Sequence, residues 1–274
     1  MDWNVGDHKR KFLRADGAYV EDGQYREGAY GFWGEWEAPS RVVEVWPKDD
    51  ALPRFLHEPL YRPPNAGSYQ NTDPLVFGDR FLYTNCKQLG NAKLRKLTPG
   101  SLVLFGSGTG AGFVLDTVFV VADAPARPYE LGETAVLPDN PTADAVVFQP
   151  LTTTKDVGRE CVAYSGRMHD HGADLPYSFV PGRPADGEVR FARPLLKPDG
   201  ALADLIEPKL YMGARVLERS KEQLMAAWQQ VLDICAGHGL AQGVHATPPA
   251  ISPTALPSGA RHESPPESAT RRGC

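Results

Sequence analysis

The sequence has few of the residues and spacings that mark common metal and disulfide sites. Its 274 residues include four cysteines, which are far apart and form no CxxC pair: Cys86, Cys161, Cys235 and Cys274. This spacing excludes a cysteine-based zinc site and a disulfide scaffold. No apolar run is long enough to span a membrane, and the first residues lack the apolar core of a signal peptide. We therefore expect a soluble cytoplasmic protein with reduced thiols and no membrane contact.

Positive charge is not in excess either. Lys and Arg number 29 against 34 for Asp and Glu, giving a formal net charge of −5. A general nucleic-acid binder gains affinity from excess positive charge, so this balance argues against one but is compatible with a local basic groove. One local basic cluster follows the central apolar stretch: Arg80, Lys87, Lys93, Arg95 and Lys96. It is either a phosphate-contacting patch or ordinary solvated charge.

Sequence motifs for a bound cofactor are also missing, and we therefore expect no cofactor. The glycine-rich run at 106–112 has no Gly-Lys-Ser/Thr and no G-x-G-x-x-G register, and a strand follows where a helix should begin. We predict instead that this run is a hairpin connection between two strands.

The apolar pattern predicts a β-rich α+β fold. Residues 1–245 are predicted to form a single domain, and the Pro- and Ser-rich residues 246–274 a disordered tail. The central stretch 68–123 holds the longest apolar runs, with strands predicted at 75–84, 101–106 and 113–122. Further strands are predicted at 41–46, 145–149, 160–166, 177–180 and 189–195.

Turn and helix signals complete the pattern. Asp16-Gly17 and Asp22-Gly23 are hairpin-type dipeptides. Residues 220–236 predict a C-terminal helix with Ser220 as N-cap, and 199–206 predicts a short helical turn.

The segment 47–67 contains five prolines, which argue against a regular helix or a central strand. We expect it to be irregular and to cover the mouth of a barrel through Phe55, Leu56 and Tyr61.

Amides and acids cluster just before the first central strand. Gln70, Asn71 and Asp73 have side chains suited to reading the edge of a base, although Asn71 and Asp73 before Pro74 would also stabilise a tight bend. Aromatic rings could supply a stacking face. Trp33 and Trp36 point to opposite faces of a regular strand, and Trp33, flanked by glycines, is the predicted pocket residue. Tyr69 is a further candidate.

Catalytic and metal sites are weaker alternatives. Cys86, next to Lys87, could be a nucleophile with His57 as base, and Asp79 with His57 could form an acid–base pair. His169, His171 and Asp174 have the residue types of a metal site but lack a recognisable further ligand, so we predict no metal.

The order of segments between residues 79 and 123 carries a family resemblance. A strand ending in Tyr83-Thr84-Asn85-Cys86-Lys87 is followed by Leu94-Arg95-Lys96-Leu97, by Pro99-Gly100-Ser101 with an apolar strand, and by the strand from Phe113. This arrangement resembles the nucleotide modification associated domain families, which are similar to the PUA-like barrels of the EVE, YTH and ASCH group. Such barrels often have Gly-Asp where this chain has Pro-Gly-Ser.

The resemblance implies a PUA-like, partly closed β-barrel that holds a base in a pocket. The predicted function is recognition of a nucleotide or modified base in nucleic acid, within base modification or defence. In this interpretation Trp33 stacks on the base, Asn71 and Asp73 read its edge, and Arg80 and Lys87 contact phosphate. Two alternatives are an enzyme acting on a nucleotide through Cys86 or Asp79 and His57, and a protein-interaction module that uses the aromatic strand as an edge.

Overall fold

The computed structural model describes residues 10–60, 71–123, 126–170, 174–207 and 214–249. Within these ranges there are twelve strands: β1 Arg10–Glu21, β2 Gln24–Glu35, β3 Ser40–Val45, β4 Phe55–Pro59, β5 Leu82–Tyr83, β6 Leu102–Gly108, β7 Phe113–Val120, β8 Arg127–Glu130, β9 Glu160–Ser165, β10 Val180–Pro184, β11 Leu195–Leu196 and β12 Ala241–Ala246. The helices are α1 Pro141–Ala143, α2 Gln149–Leu151 and α3 Lys221–Gly237, with a π-helical segment at Asp144–Phe148 and 3₁₀ segments at Ala92–Lys96 and Gly200–Leu202.

The longest hairpin, β1 with β2, is set by its turn. Asp22 and Gly23 both have positive φ, 51° and 72°, as a type I′ turn requires. From this turn the two strands pair residue by residue, from Glu21 with Gln24 to Arg10 with Glu35. The prediction of a hairpin turn at Asp22-Gly23 is confirmed.

Four strands of the main sheet close a ring of pairings. β1 pairs with β2, β2 with β10, β10 with β12, and β12 again with β1. Gly17 lies where β12 meets β1, and a Cβ on it would sit 1.9 Å from the His245 carbonyl oxygen. The prediction of a hairpin at Asp16-Gly17 was therefore wrong: Gly17 lies inside β1 because only a glycine allows this close approach.

The prediction that residues 47–67 are irregular was wrong for the residues that form β4. It pairs parallel with β1 and antiparallel with β3, which forms the edge of the sheet. Prolines lie at 53 and 59, so the residues between them keep their N–H groups for pairing. Leu56 is buried, whereas Phe55 is partly exposed and Tyr61 lies outside the described residues.

Residues 145–149 are helical, not the predicted strand. Asn140 caps the segment by accepting a hydrogen bond from the Ala143 N–H at 2.9 Å, and Pro141 occupies the first helical position. The segment is buried, and short apolar runs of this kind fit either a strand or a buried helix. The N-cap decides between them.

Two smaller sheets lie beside the ring. β6 and β7 form the hairpin predicted across 106–112, with β11 added to β7, while β9 lies between β5 and β8. Of the predicted strand 75–84, only β5 is a strand, since the chain reverses at Gly78 and Leu75 bridges Leu82.

Helix α3 packs on one of two apolar clusters. Ser220 and Gln223 form a capping box, and Ala227, Trp228, Val231 and Cys235 are buried. β12 follows the helix and returns to the ring. Among the described residues, no helix has both the length and the apolar character needed to cross a membrane.

Candidate functional site

A cavity of about 1660 Å³ lies between the ring and the β6–β7 hairpin. Its walls come from the ends of β1 and β2, the polar segment before β5, β6, and the residues around the start of α3. This volume exceeds that of most sites for small ligands, which range from about 300 to 1,000 Å³. The cavity therefore has room for a ligand with more than one ring system.

Trp33 contributes to this cavity, whereas Trp36 does not. The Trp33 side chain is half-buried, and its indole N–H donates to the Phe191 carbonyl at 3.0 Å. Trp36 is fully buried in the opposite apolar cluster, as the alternation of β2 predicts. The Arg193 guanidinium lies over the Trp33 ring, 5.7 Å from its centroid, and also lines the cavity. The stacking surface is thus a tryptophan–arginine pair.

Asp73 is buried at the cavity wall and organises the chain around it. Its Oδ1 accepts a hydrogen bond from the Thr84 N–H at 2.8 Å, and its Oδ2 accepts from the N–H groups of Asn85 and Cys86 at 2.8 and 2.5 Å. Burial raises the pKa of Asp73 to about 6, although the three N–H donors act in the opposite direction. Asp73 thus stabilises a bend beside the cavity, and its oxygens are already engaged.

Asn71 differs from Asp73 in the hydrogen bonding of its side chain. It is 3% exposed and lines the cavity, yet its side-chain amide makes no hydrogen bond with any described residue. Its amide atoms are not among the fully enclosed side-chain atoms that lack a partner in the described part of the chain, so the amide keeps access to the cavity. Of the two predicted edge-reading side chains, Asn71 is the one whose donors and acceptor are free for a ligand.

A charged network beside the stacking pair was missed from the sequence. Arg10 Nε donates to Asp116 at 2.7 Å and its Nη1 donates to Glu35 at 2.6 Å, while Arg193 donates to Asp116 at 3.2 Å. Burial would lower the pKa of Arg10, but the carboxylates of Glu35 and Asp116 outweigh it and raise that pKa. Asp116 interrupts an apolar strand, and this was the one signal in the sequence for a buried ion pair.

Exposed lysines line the rim of the cavity. Lys87, Lys93, Lys96 and Lys221 make no ion pair within the described part of the chain. Lys87 has a positive φ of 62°, an uncommon backbone conformation for a side-chain-bearing residue. Three arginines at the same rim are paired with acids: Arg167 with Asp123, Arg215 with Glu207 and Arg219 with Asp204. An acidic protein therefore presents free positive charge at this opening.

Other predicted site residues lie away from the cavity. Asp79 and Arg80 are exposed at the reversal after Gly78, and Arg95 donates to the Gln88 carbonyl at 2.7 Å. His57 lies on β4 opposite Leu13, with Ser40 Oγ 3.2 Å from its Nδ1.

Asp79 and His57 are not brought together as an acid–base pair. Gly78 bridges Ala246, which pairs with Gly17, whereas His57 pairs with Leu13. These two positions on β1 are separated by four residues, or about 13 Å. Tyr69 and Gln70 lie outside the described residues.

The histidine-rich segment is not assembled as a metal site in the described part. His169 packs its ring edge-on against Tyr177 at 4.8 Å and lies parallel to Tyr25 at 6.0 Å. His171 lies outside the described residues. Among those that are described, no group of three or more His, Cys, Asp or Glu side chains is placed to hold a metal ion.

Cys86 lines the cavity but is in a poor setting for a nucleophile. Burial, Asp73 and Glu35 raise the pKa of its thiol to about 12, and Arg10 and Lys87 offset this only in part. Because the thiolate is the reactive form, Cys86 is poorly suited to attack a substrate at neutral pH.

Alkylation of Cys86 is therefore expected to be slow. With a pKa near 12 instead of the ordinary 9, the thiolate fraction at pH 8 falls by about 1000-fold, and iodoacetamide should react correspondingly slowly. Peptide-resolved mass spectrometry of the native protein measures this rate, with the urea-unfolded protein as control. A native rate equal to the unfolded one would contradict the assignment.

The cavity brings together the Trp33–Arg193 pair, the Asn71 amide and lysines that make no ion pair within the described residues. Comparison of the chain with protein-family models, with curated proteins and with solved structures finds no match.

Proposed function

We propose that this cavity binds a nucleotide, or a modified base presented by a nucleic acid. The observation that carries the proposal is the free, buried amide of Asn71 in the same cavity as the Trp33–Arg193 pair. In this proposal the ring of β1, β2, β10 and β12 is the core of a PUA-like, partly closed barrel with α3 as its C-terminal helix. The protein would act as a reader within nucleic-acid base modification or defence.

The inner part of the cavity supplies the contacts for a base. A base can stack on an indole or on the plane of an arginine guanidinium, and both are present at one place. Asn71 offers a donor and an acceptor on one amide, as needed for paired hydrogen bonds to a base edge. Asp73 supports this wall through the backbone of residues 84–86 and does not read the base itself.

The rim supplies the contacts for phosphate. Lys87 retains its predicted role, while Arg80 is replaced by Lys93 and Lys96, which lie at the opening. Ammonium groups without a protein partner are free to neutralise phosphates, and the affinity they give depends on salt through counterion release.

Replacing Lys87, Lys93 and Lys96 at the rim with glutamine should weaken the binding of single-stranded nucleic acid. It should also make that binding less dependent on salt concentration. Each lost phosphate contact lowers the slope of log affinity against log salt by about 0.7, so Lys87, Lys93 and Lys96 together account for about 2. Filter binding of modified and unmodified oligonucleotides at several salt concentrations measures this slope.

The matched control removes the same charge elsewhere. Lys48, Arg80 and Lys197 are exposed and do not line the cavity. Their replacement with glutamine should leave the slope close to that of the wild type. If both triple variants lose affinity equally, or if no oligonucleotide or mononucleotide binds the wild type, the proposed function is wrong.

The interaction-module alternative has support at a different place from the one predicted. The aromatic strand β2 pairs with β1 along its whole length and with β10 over Tyr30–Phe32, so this aromatic stretch has no free edge. The edge strand is β3, where Val42, Val43 and Val45 are exposed. Exposed apolar residues on an edge strand are typical of a pairing surface. Co-purification of a protein partner on this edge in the absence of nucleic acid would favour that alternative.

A further inference from the structure

Arg10 presents part of its guanidinium group to the cavity without a protein partner. Its Nε donates to Asp116 Oδ2 at 2.7 Å and its Nη1 donates to Glu35 Oε2 at 2.6 Å, whereas its Nη2 makes no hydrogen bond with any described residue. The side chain is 19% exposed and lines the cavity. Nη2 is not among the fully enclosed side-chain atoms that lack a partner in the described part of the chain. Its two N–H bonds are therefore donors with access to the cavity.

Two carboxylates fix both the position and the charge of this group. The bonds to Asp116 and Glu35 hold the guanidinium plane from two sides, so Nη2 needs little rearrangement to meet a ligand. Burial would lower the pKa of Arg10, but Glu35 and Asp116 outweigh it and raise that pKa. A guanidinium has N–H donors and no acceptor. This part of the wall therefore donates hydrogen bonds and cannot accept one.

The charges around Arg10 decide which kind of acceptor fits there. Arg10 and Arg193 both donate to Asp116 Oδ2, at 2.7 and 3.5 Å, so the two cations are neighbours. Glu35 and Asp116 supply one carboxylate for each guanidinium, which leaves the group of four without net charge. A phosphate here would be repelled by both carboxylates, whereas a neutral carbonyl or ring nitrogen would not. The inner wall thus suits a neutral acceptor, and the rim lysines remain for phosphate.

Arg10 also lies beside the surface proposed to stack the base. Asp116 joins it to Arg193, whose guanidinium lies over the Trp33 ring, 5.7 Å from the ring centroid. All three side chains other than Asp116 line the same cavity. A base stacked on the Trp33–Arg193 pair would therefore have Arg10 next to its edge.

We propose that Arg10 is a specificity residue of the cavity, whose Nη2 donates hydrogen bonds to carbonyl-oxygen or ring-nitrogen acceptors on the edge of the base. The inference rests on the proposed function and deepens it by naming the ligand class, which is bases with a keto group. Guanine presents two acceptors side by side, O6 and N7, and an arginine guanidinium commonly donates to this pair. Adenine and cytosine carry an amino donor in place of the keto oxygen. That amino group would face Nη2 donor to donor and leave both unsatisfied, so the cavity should reject it.

The test on the wild type compares ligands that differ at these acceptors. Calorimetric titration measures dissociation constants for the 5′-monophosphates of inosine and adenosine, of uridine and cytidine, and of guanosine and 7-deazaguanosine. Single-stranded hexanucleotides that differ in the same way at one position serve as larger probes. The keto member of the first two pairs should bind about tenfold more tightly or better. Loss of the N7 acceptor in 7-deazaguanosine should also weaken binding about tenfold.

Two variants separate the reading of the base from the binding of phosphate. Arg10→Lys keeps a positive charge between Glu35 and Asp116, but its single ammonium is bonded to these carboxylates and replaces the free Nη2 group. This variant should lose the preference for keto bases. Lys87→Gln is the matched control, since Lys87 lies at the rim: it should weaken the binding of all monophosphates by a similar factor and keep their ratios.

The outcomes separate this inference from the proposed function. If the wild type binds the probes without preference or prefers amino-bearing bases, the role of Arg10 is wrong while nucleotide binding stands. The role is also wrong if Arg10→Lys keeps the preference, or if it weakens all monophosphates equally without changing their ratios, as a phosphate contact would. If Arg10→Lys does not fold, the wild-type ratios and the 7-deazaguanosine comparison still decide the question. If no probe binds the wild type, both proposals fail together.

Discussion

Replacement of Asp73 with alanine is expected to lower the free energy of unfolding by about 3 kcal/mol. The carboxylate accepts hydrogen bonds from three successive backbone N–H groups, those of residues 84, 85 and 86. Thr84 and Asn85 are fully buried, so their N–H groups have little access to replacement water. Each buried donor left without an acceptor costs about 1–3 kcal/mol.

Urea unfolding followed by tryptophan fluorescence measures this change. Asp79→Ala is the matched control, since Asp79 is an exposed carboxylate in the same region and its loss should change stability by no more than about 0.5 kcal/mol. Equal stability of the two variants would show that Asp73 does not support the bend.

The contribution of Asp73 to stability is expected to depend on pH in a definite direction. The pKa of Asp73 is raised from its ordinary value of 3.8 to about 6, so the folded protein holds this proton more tightly than the unfolded chain. The stability it contributes is full below pH 3.8 and decreases as the pH rises to about 6. Relative to Asp73→Asn, which does not titrate, the wild type should therefore lose stability across this window. A difference that does not vary with pH would contradict the raised pKa.

The second large effect is expected at Asp116. This carboxylate is 2% exposed and accepts from both Arg10 and Arg193. Asp116→Ala would leave Arg10 with Glu35 as its remaining carboxylate partner and would release Arg193. Removal of one partner from a buried ion pair typically costs about 3–5 kcal/mol, because the other charge stays desolvated. Without Asp116, Arg193 would no longer be held in position over the Trp33 ring, so ligand affinity should fall as well.

An exposed ion pair provides the comparison. Glu133 and Arg127 lie 3.3 Å apart, and both side chains are at least 40% exposed. Glu133→Gln should cost no more than about 1 kcal/mol and should leave ligand binding unchanged. Chemical denaturation and titration of both variants test this contrast. If Asp116→Ala binds ligand as tightly as the wild type, the network does not position the stacking pair.

Local signals in the sequence predicted the elements that depend on few distant contacts. The Asp22-Gly23 turn, the β6–β7 hairpin and the capped helix α3 each follow from residues close in sequence. Residues 145–149, which lie within the helical segment 141–151, were predicted as a strand because their apolar run fits both structures. β4 was missed because Pro53 and Pro59 obscured the proline-free residues between them, whose pairing with β1 depends on distant residues.

The residues of the candidate site also fall into those that could be identified from the sequence and those whose role depends on distant residues. Trp33, Asn71, Asp73 and Lys87 were identified by residue type, and all four line the cavity. Arg10 and Arg193 gave no signal, because their importance comes from Asp116, which is distant from both in sequence. Arg80 was misplaced because the chain reverses at Gly78 and turns this side chain to solvent. Such long-range placements follow from the topology and cannot be obtained from spacing along one segment.

The pairing of β1 with β12 also bears on how the chain acquires its structure. The first described strand contacts the last across almost the whole described length, as in the pairing of Gly17 with Ala246. Proteins dominated by such distant pairings fold slowly, because a long loop must close before any contact stabilises it. During synthesis, β1 and β2 would emerge early as a hairpin with unpaired edges. β4 and β10 can pair with parts of these edges as they emerge, but the Gly17–Val20 edge of β1 is covered only after β12 leaves the ribosome, and the nascent chain depends on protection from aggregation until then.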